Sequence, residues 1–185
     1  NHHFGHNREG DYSYLYELSK SLGFAVEEIP MQEIQNESVS STKIRKALQE
    51  GNIQRANAYL DHLFCISGIA SEGNPFLHAK GFPTSFLAIS DPEKLIPPEG
   101  VYAIRARVND AAYKGICNIF FPDNNYDSTP SIEFILLEQA PPLTQGTKVR
   151  LFFHKRLRSF LHFPTPDDLI RQISSDKRQV DELIY

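Results

Sequence analysis

The segment SSTKIR, at residues 40–45, combines residue types that could bind phosphate. Ser40 or Ser41 is suited to cap a helix, and hydroxyls beside the free backbone N–H groups of a first helical turn form an anion site. Arg45, one turn further along, could neutralise negative charge that develops on a phosphate during a reaction. The alternative is an ordinary capped helix with an exposed arginine.

The elements that must position this segment are helices in the first third of the chain. Residues 12–22 place apolar side chains near one helical face, and Gly23 follows as a C-terminal stop. FAVEEIP, at residues 24–30, predicts a strand. The pattern then predicts one helix after Ser40 and a second in NIQRANAYL, at residues 52–60. This order of a helix, a strand and two further helices is typical of the closing part of an α/β nucleotide-binding domain.

After about Asp61 the pattern changes to short alternating or aromatic runs separated by Pro, Gly, Asn and Asp. These runs are LFCISGIAS, GVYAIRARV, YKGICNIFF, SIEFILLEQ and KVRLFFHK. Several short strands at this spacing predict a small antiparallel barrel or sandwich. The chain closes with a predicted helix that Thr165 can cap, with Pro166 in its first turn and an apolar stripe for the barrel.

The composition is that of an ordinary globular protein, with 41% hydrophobic and 23% charged residues in a chain of 185. The chain has 19 Lys and Arg residues and 23 Asp and Glu residues, so it lacks the excess of positive charge that is typical of a nucleic-acid-binding protein. No apolar run is long enough to span a bilayer. Cys65 and Cys117 lack the spacing of a zinc or redox motif. We therefore predict a cytoplasmic protein with free thiols and neither a nucleic-acid nor a membrane partner.

Several motifs occur in an order that matches one enzyme family. SSTKIR matches the signature SSTxIR, GFPT at residues 81–84 matches the start of GFPTAN, and KGICNIF, SIEFILLE and RLRSFLHFPTPDDLIRQISSD match later segments. HFGH at residues 3–6 looks like the HxGH signature of nucleotidyltransferases. The longer run HHFGHNREGD fits better with a later motif of the bacterial FAD synthetases, DxxFGxxRxGD. The alternative is a solvated His-rich terminus. The chain thus resembles the C-terminal part of the bifunctional riboflavin kinase/FMN adenylyltransferases, the bacterial FAD synthetases.

This resemblance implies roles for individual residues. Glu133 would be the general base that takes the proton from the ribityl 5′-hydroxyl of riboflavin, although a glutamate in mid-strand usually just faces solvent. Gly81, Pro83 and Thr84 would bind the phosphates of ATP, and Thr84 would also be a ligand of Mg²⁺. The other implied contacts are Ser40, Ser41, Thr42 and Arg45 with ATP, and Phe4, Gly5, Arg8 and Arg158 with the flavin.

Some positions depart from the family pattern. Phe86 stands where GFPTAN has its metal-binding Asn, and Leu77 and His78 replace a Gly-Arg pair before GFPT. Phenylalanine also replaces a glycine, a histidine and a glutamate of the family at Phe120, Phe134 and Phe160. Because a phenylalanine cannot bind a metal and would narrow a nucleotide site, these departures predict a weakened or inactive kinase.

The leading hypothesis is an enzyme of flavin cofactor synthesis that phosphorylates riboflavin to FMN and adenylylates FMN to FAD, using ATP and Mg²⁺. A second is a kinase-like barrel that binds flavin or stabilises the adenylyltransferase domain without turnover, and a third is a barrel used only for protein interaction. The expected fold is α+β, with the C-terminal part of an α/β nucleotidyltransferase domain at residues 1–58 and a riboflavin kinase-like β-barrel with a C-terminal helix at residues 59–185. Since the upstream HxGH signature is missing, we expect no FAD synthesis from these residues alone.

Overall fold

A computed structural model describes residue 7 and residues 9–27, 33–34, 37–122, 129–137, 140 and 143–185. It contains two compact units, Asn1–Val39 and Ser40–Tyr185. The elements in chain order are α1 (Tyr12–Leu22), β1 (Glu33–Ile34), β2 (Glu37–Ser38), α2 (Ser41–Gln49), α3 (Ile53–Leu60), β3 (Cys65–Glu72), α4 (Pro75–Ala79), β4 (Thr84–Ile89), β5 (Gly100–Val108), β6 (Ala111–Phe120), β7 (Ser131–Leu136), β8 (Lys148–Arg158) and α5 (Pro166–Leu183). Of the helices in these residues, none has the length and apolar character needed to cross a membrane.

The first unit holds α1 and the short pair β1–β2. Asp11 caps α1 by accepting a hydrogen bond from the Tyr14 N–H at 2.9 Å, and Gly23 ends the helix with a φ of 74°. The strand predicted for residues 24–30 is absent at residues 24–27, because no described strand lies beside them to pair with their backbone groups; residues 28–30 lie outside the described part. The nucleotidyltransferase fold of this region stays a prediction.

The second unit is built around a closed antiparallel barrel whose six strands follow the order β3-β4-β7-β6-β5-β8. Successive side chains of each strand point alternately into the barrel and away from it. Tyr102, Phe134 and Phe153 are fully buried, and the rings of Tyr102 and Phe153 meet edge to face at 5.5 Å. The predicted barrel is therefore confirmed, and Phe134 is a residue of its core.

The helix α5 covers part of the outer face of the barrel. Thr165 caps this helix, with its hydroxyl accepting from the Asp168 N–H at 3.2 Å. Helix and barrel share one apolar cluster, whose buried members include Val101, Ile116, Ile135, Ile173 and Val180. Because of this cover β5 is buried on both faces over its first five residues. The predicted C-terminal helix is confirmed.

The helices α2 and α3 belong to the second compact unit, which starts at Ser40. Asn57 joins α3 to the barrel, since its side-chain amide donates to the Phe153 carbonyl at 2.9 Å and its side-chain oxygen accepts from the Phe64 N–H at 2.7 Å. The domain boundary predicted between residues 58 and 59 stays a prediction.

Candidate active site

The main cavity, of about 500 Å³, lies between the outer face of the barrel and α5. Strands β4 to β7 supply its floor, and α4, the segment 160–163 and the start of α5 supply its walls. Most of the lining is apolar, and the polar side chains on the floor include Thr84, Asn118 and Glu133. An apolar cavity with a few convergent polar groups is the usual form of a small-molecule site.

Glu133 of β7 is the acidic residue of this floor. It lies directly opposite Asn118 of β6 on one side and Phe86 of β4 on the other. The Oε1 atom of Glu133 and the Oδ1 atom of Asn118 are both buried, and neither has a hydrogen-bond partner. Leaving a buried acceptor unpaired costs about 1–3 kcal/mol, and more when the group is charged. The floor therefore presents two acceptors that a ligand with hydrogen-bond donors would satisfy.

Thr84 is buried at the first residue of β4, and its position is set by the segment before it. Its hydroxyl accepts a hydrogen bond from the Asn74 N–H at 2.7 Å. Gly73 packs so closely against Thr84 that a Cβ atom at residue 73 would collide with the threonine main chain and hydroxyl. The hydroxyl keeps its proton and a second lone pair for a ligand. Across the ladder Thr84 pairs with Ile135, which puts it diagonally from Glu133, about 7–8 Å away.

Thr84 also lines a second cavity, of about 460 Å³, together with Pro83, Ser85 and His78. One residue thus contributes to the walls of two neighbouring spaces. Of the residues that the sequence predicted to bind ATP phosphates, the structure brings Pro83 and Thr84 to this second space. Gly81, with a φ of 82°, lies in the turn before them and lines neither cavity.

Phe86 follows Thr84 on the same face of β4 and is directly opposite Glu133. Its half-buried ring therefore lies beside the two residues to which the sequence assigned catalysis and metal binding. Thr84 and Glu133 offer the oxygen ligands that Mg²⁺ prefers, whereas the ring offers none. The site thus keeps the threonine oxygen that the sequence assigned to Mg²⁺, while the ring at residue 86 supplies no second ligand.

Arg158, predicted to contact flavin, lines the main cavity, but its guanidinium group is engaged by α5. Its Nη2 and Nε atoms donate to Asp176 at 2.8 Å and 3.1 Å, and the Gln172 amide donates to the same carboxylate at 2.8 Å. Asp176 is 1% exposed. This buried ion pair connects the end of β8 to the middle of α5, so it fixes the wall of the cavity.

An aromatic group forms the edge of the cavity. The rings of Phe120 and Phe160 stack at 6.2 Å with an interplanar angle of 21°, and His162 meets Phe160 edge to face at 5.1 Å. Two of the phenylalanines that depart from the family pattern thus contact each other in the structure. They give a flat apolar surface where the family has a glycine and a glutamate.

The remaining predicted site residues lie elsewhere. Ser40 caps α2 by accepting from the Lys43 N–H at 3.3 Å, and Ser40, Ser41, Thr42 and Arg45 are exposed and line neither cavity. Phe4, Gly5 and Arg8 lie outside the described residues.

Asn118 and Asp176 are site residues that sequence reasoning missed. Each is a lone polar residue among apolar neighbours, Asn118 within the run CNIF and Asp176 between Ile173 and Val180 on the buried stripe of α5. A single polar residue inside an apolar run, as in β6, or on an apolar stripe, as in α5, is the signal that could have identified both.

The chain is similar in sequence to known proteins of one family. The sequence profile of the family described as riboflavin kinase matches residues 60–184. The bifunctional riboflavin kinase/FMN adenylyltransferase of Bacillus subtilis (strain 168) is 34% identical over 148 residues, which cover 78% of this chain and 46% of that protein. The protein of the same name from Buchnera aphidicola subsp. Acyrthosiphon pisum is 32% identical over 176 residues, covering 94% of this chain and 55% of that protein. The chain spans about half the length of these curated relatives.

A solved structure described as a macrolide-efflux protein from Streptococcus pneumoniae is also similar. It matches with a TM-score of 0.83 and 22% identity, over 98% of this chain and 58% of that one. At this level of identity the likeness shows a shared fold only.

Proposed function

The chain belongs to the riboflavin kinase family, and from that premise we propose that its barrel transfers the terminal phosphoryl group of ATP to the ribityl 5′-hydroxyl of riboflavin. The observation that carries the proposal is the buried, unpartnered Oε1 atom of Glu133 on the floor of a cavity of about 500 Å³. A carboxylate held in this way is ready to accept a proton from a bound hydroxyl group.

In this proposal the main cavity holds riboflavin and the second cavity holds the ATP phosphates. Thr84 lines both cavities, so the two substrates would meet beside it. The 5′-oxygen attacks the terminal phosphorus, Glu133 accepts the hydroxyl proton, and the bond between that phosphorus and the bridging oxygen breaks to release ADP. The site supplies mainly position and charge, which is what phosphoryl transfer requires.

Magnesium enters the proposal through Thr84, whose hydroxyl would hold the ion. A bound Mg²⁺ would neutralise charge on the phosphates during transfer. Mg²⁺ needs few protein ligands because phosphates and water supply the others.

A second candidate function is flavin binding without turnover, and the place of Phe86 favours it. The ring occupies the position directly opposite Glu133, where the family signature has an asparagine. If this departure removes a required metal ligand, the barrel keeps its flavin cavity and loses the chemistry.

For residues 1–58 we propose a contribution to an FMN adenylyltransferase domain. The support is SSTKIR at the capped start of α2 and the names of the longer relatives. Ser40, Ser41, Thr42 and Arg45 would bind ATP there. The exposed hydroxyls and arginine beside free backbone N–H groups suit a phosphate.

The test combines a turnover assay with a binding titration. Purified protein is incubated with riboflavin, ATP and Mg²⁺, and FMN and ADP are separated by chromatography; riboflavin binding is followed by flavin fluorescence. FMN and ADP formed in equal amounts support the kinase, and binding without products supports the second candidate. Absence of both binding and turnover would refute the two functions together.

A further inference from the structure

We propose that Asn118 recognises the hydroxylated side chain of the flavin and places the reactive hydroxyl against Glu133. This inference rests on the proposed function, since it assigns a specificity-determining residue to the riboflavin site. The ligand chemistry is that of a polyol, whose neighbouring hydroxyls donate to Asn118 Oδ1 and Glu133 Oε1.

The sheet register isolates Asn118 among apolar neighbours. Val101 of β5 lies directly opposite on one side, and Ile116 and Phe120 flank it on the same face of β6. Glu133, opposite on the other side, is its only polar cross-strand neighbour among the paired residues. Asn118 itself is half-buried on the cavity floor, but its Oδ1 atom is buried without a partner, and an unpaired buried amide oxygen destabilises the folded chain.

Asn118 and Glu133 do not satisfy one another. Residues directly opposite on antiparallel strands have Cβ atoms about 4.5–5.5 Å apart, so the two side chains share one small region of the cavity floor. Their buried Oδ1 and Oε1 atoms are both acceptors without a donor. What is missing is therefore a partner with two donors close together.

A chain of hydroxyl groups supplies such donors, since each hydroxyl donates one hydrogen bond and accepts others. The flat ring of a flavin has no hydroxyl on its carbon frame, so the aromatic edge of the cavity suits the ring and the Asn118–Glu133 pair suits the side chain. By holding the neighbouring hydroxyl, Asn118 would determine which oxygen of the chain reaches Glu133.

The experiment compares riboflavin with lumiflavin, which has the same ring system and a methyl group in place of the ribityl chain. Dissociation constants are measured by fluorescence in EDTA for the wild type, Asn118→Ala and Asn118→Leu; the leucine variant suits the apolar surroundings and protects against loss of folding. Asn109→Gly, which removes an amide from the turn of the same β5–β6 hairpin, is the matched control.

We expect both Asn118 variants to weaken riboflavin binding by about 3- to 10-fold relative to lumiflavin binding, which corresponds to one lost hydrogen bond. The control should leave the ratio of the two constants unchanged. The role of Asn118 would be overturned if the variants lost the same affinity for both flavins or lost none for either. A loss of affinity that appears only when Mg²⁺ is added would overturn it as well. A wild type that binds both flavins equally well would also overturn it while leaving the proposed function intact, whereas a wild type that binds neither flavin would refute the proposed function itself.

Discussion

Replacement of Glu133 with glutamine should separate the activity of this barrel from its stability. The two side chains have nearly the same shape, so the change removes the basic carboxylate and leaves β7 packed between β4 and β6. A positioned general base contributes about 10²–10⁴-fold to a rate. We expect the kcat for FMN formation to fall by about that factor, with a much smaller change in the affinity for riboflavin.

The same substitution should not destabilise the fold. Glu133 Oε1 and Asn118 Oδ1 are buried acceptors without partners in the native chain, and a glutamine at residue 133 brings an NH₂ group that can donate to Asn118. One such hydrogen bond contributes about 0.5–1.5 kcal/mol. Since about 1 kcal/mol moves the melting temperature of a chain this size by roughly 2–4 °C, we expect Glu133→Gln to raise Tm by a few degrees.

The assay measures FMN by chromatography at saturating ATP and Mg²⁺, and Tm by calorimetry, for the wild type, Glu133→Gln and Glu93→Gln. Glu93 is an exposed residue in the β4–β5 connection and provides the matched loss of a carboxylate. A Glu133→Gln protein that kept more than about a third of the wild-type kcat would show that Glu133 is not the base. A Tm several degrees below that of the wild type would show that the unpartnered oxygens do not cost stability.

Three further predictions concern Phe86, Asp176 and Cys117. Phe86→Asn should raise the rate of FMN formation about tenfold or more in the presence of Mg²⁺ and leave it unchanged without Mg²⁺, because it adds an oxygen ligand beside Thr84. Equal rates for the variant and the wild type in the presence of Mg²⁺ would contradict this. Asp176→Asn should lower the free energy of unfolding in urea by up to about 3–5 kcal/mol, because it leaves the partly buried Arg158 guanidinium without its counter-charge; the exposed Asp181→Asn should change it by no more than about 0.5 kcal/mol. Burial, with a smaller contribution from the Glu133 carboxylate, raises the pKa of the Cys117 thiol. Above pH about 8.5 this thiol therefore ionises only in the unfolded chain, and the free energy of unfolding falls by up to about 1.4 kcal/mol per pH unit. Parallel pH profiles of the free energy of unfolding for the wild type and Cys117→Ala would refute this.

The barrel strands with clear apolar alternation could be predicted from sequence. GVYAIRARV coincides with β5, and the runs predicted near β3, β6, β7 and β8 overlap those strands. β4 was missed, since its first residues were interpreted only as a phosphate-binding motif. The short helix α4 was missed as well, because five residues carry too little periodicity to stand out.

The candidate site was only partly predictable. Thr84 and Glu133 followed from motifs, and both line the main cavity. That Phe86 lies directly opposite Glu133, and that Asn118 lies on its other side, depends on the register between strands distant in sequence. Register is fixed by packing across the whole barrel rather than by any local pattern. The engagement of Arg158 by Asp176 is likewise a contact that neither segment shows alone.

The closed barrel has a consequence for how this protein can change during evolution. Within the paired stretches of a closed sheet, backbone N–H and C=O groups are already bonded to neighbouring strands, so recognition of a ligand on the floor falls mainly to side chains. Substitutions such as those at Phe86, Phe120 and Phe160 can then alter what the cavity accepts while the main chain keeps its course. The ligand that the cavity binds can therefore change during evolution without a change in the fold, and a descendant of this protein could acquire a different activity on the same barrel.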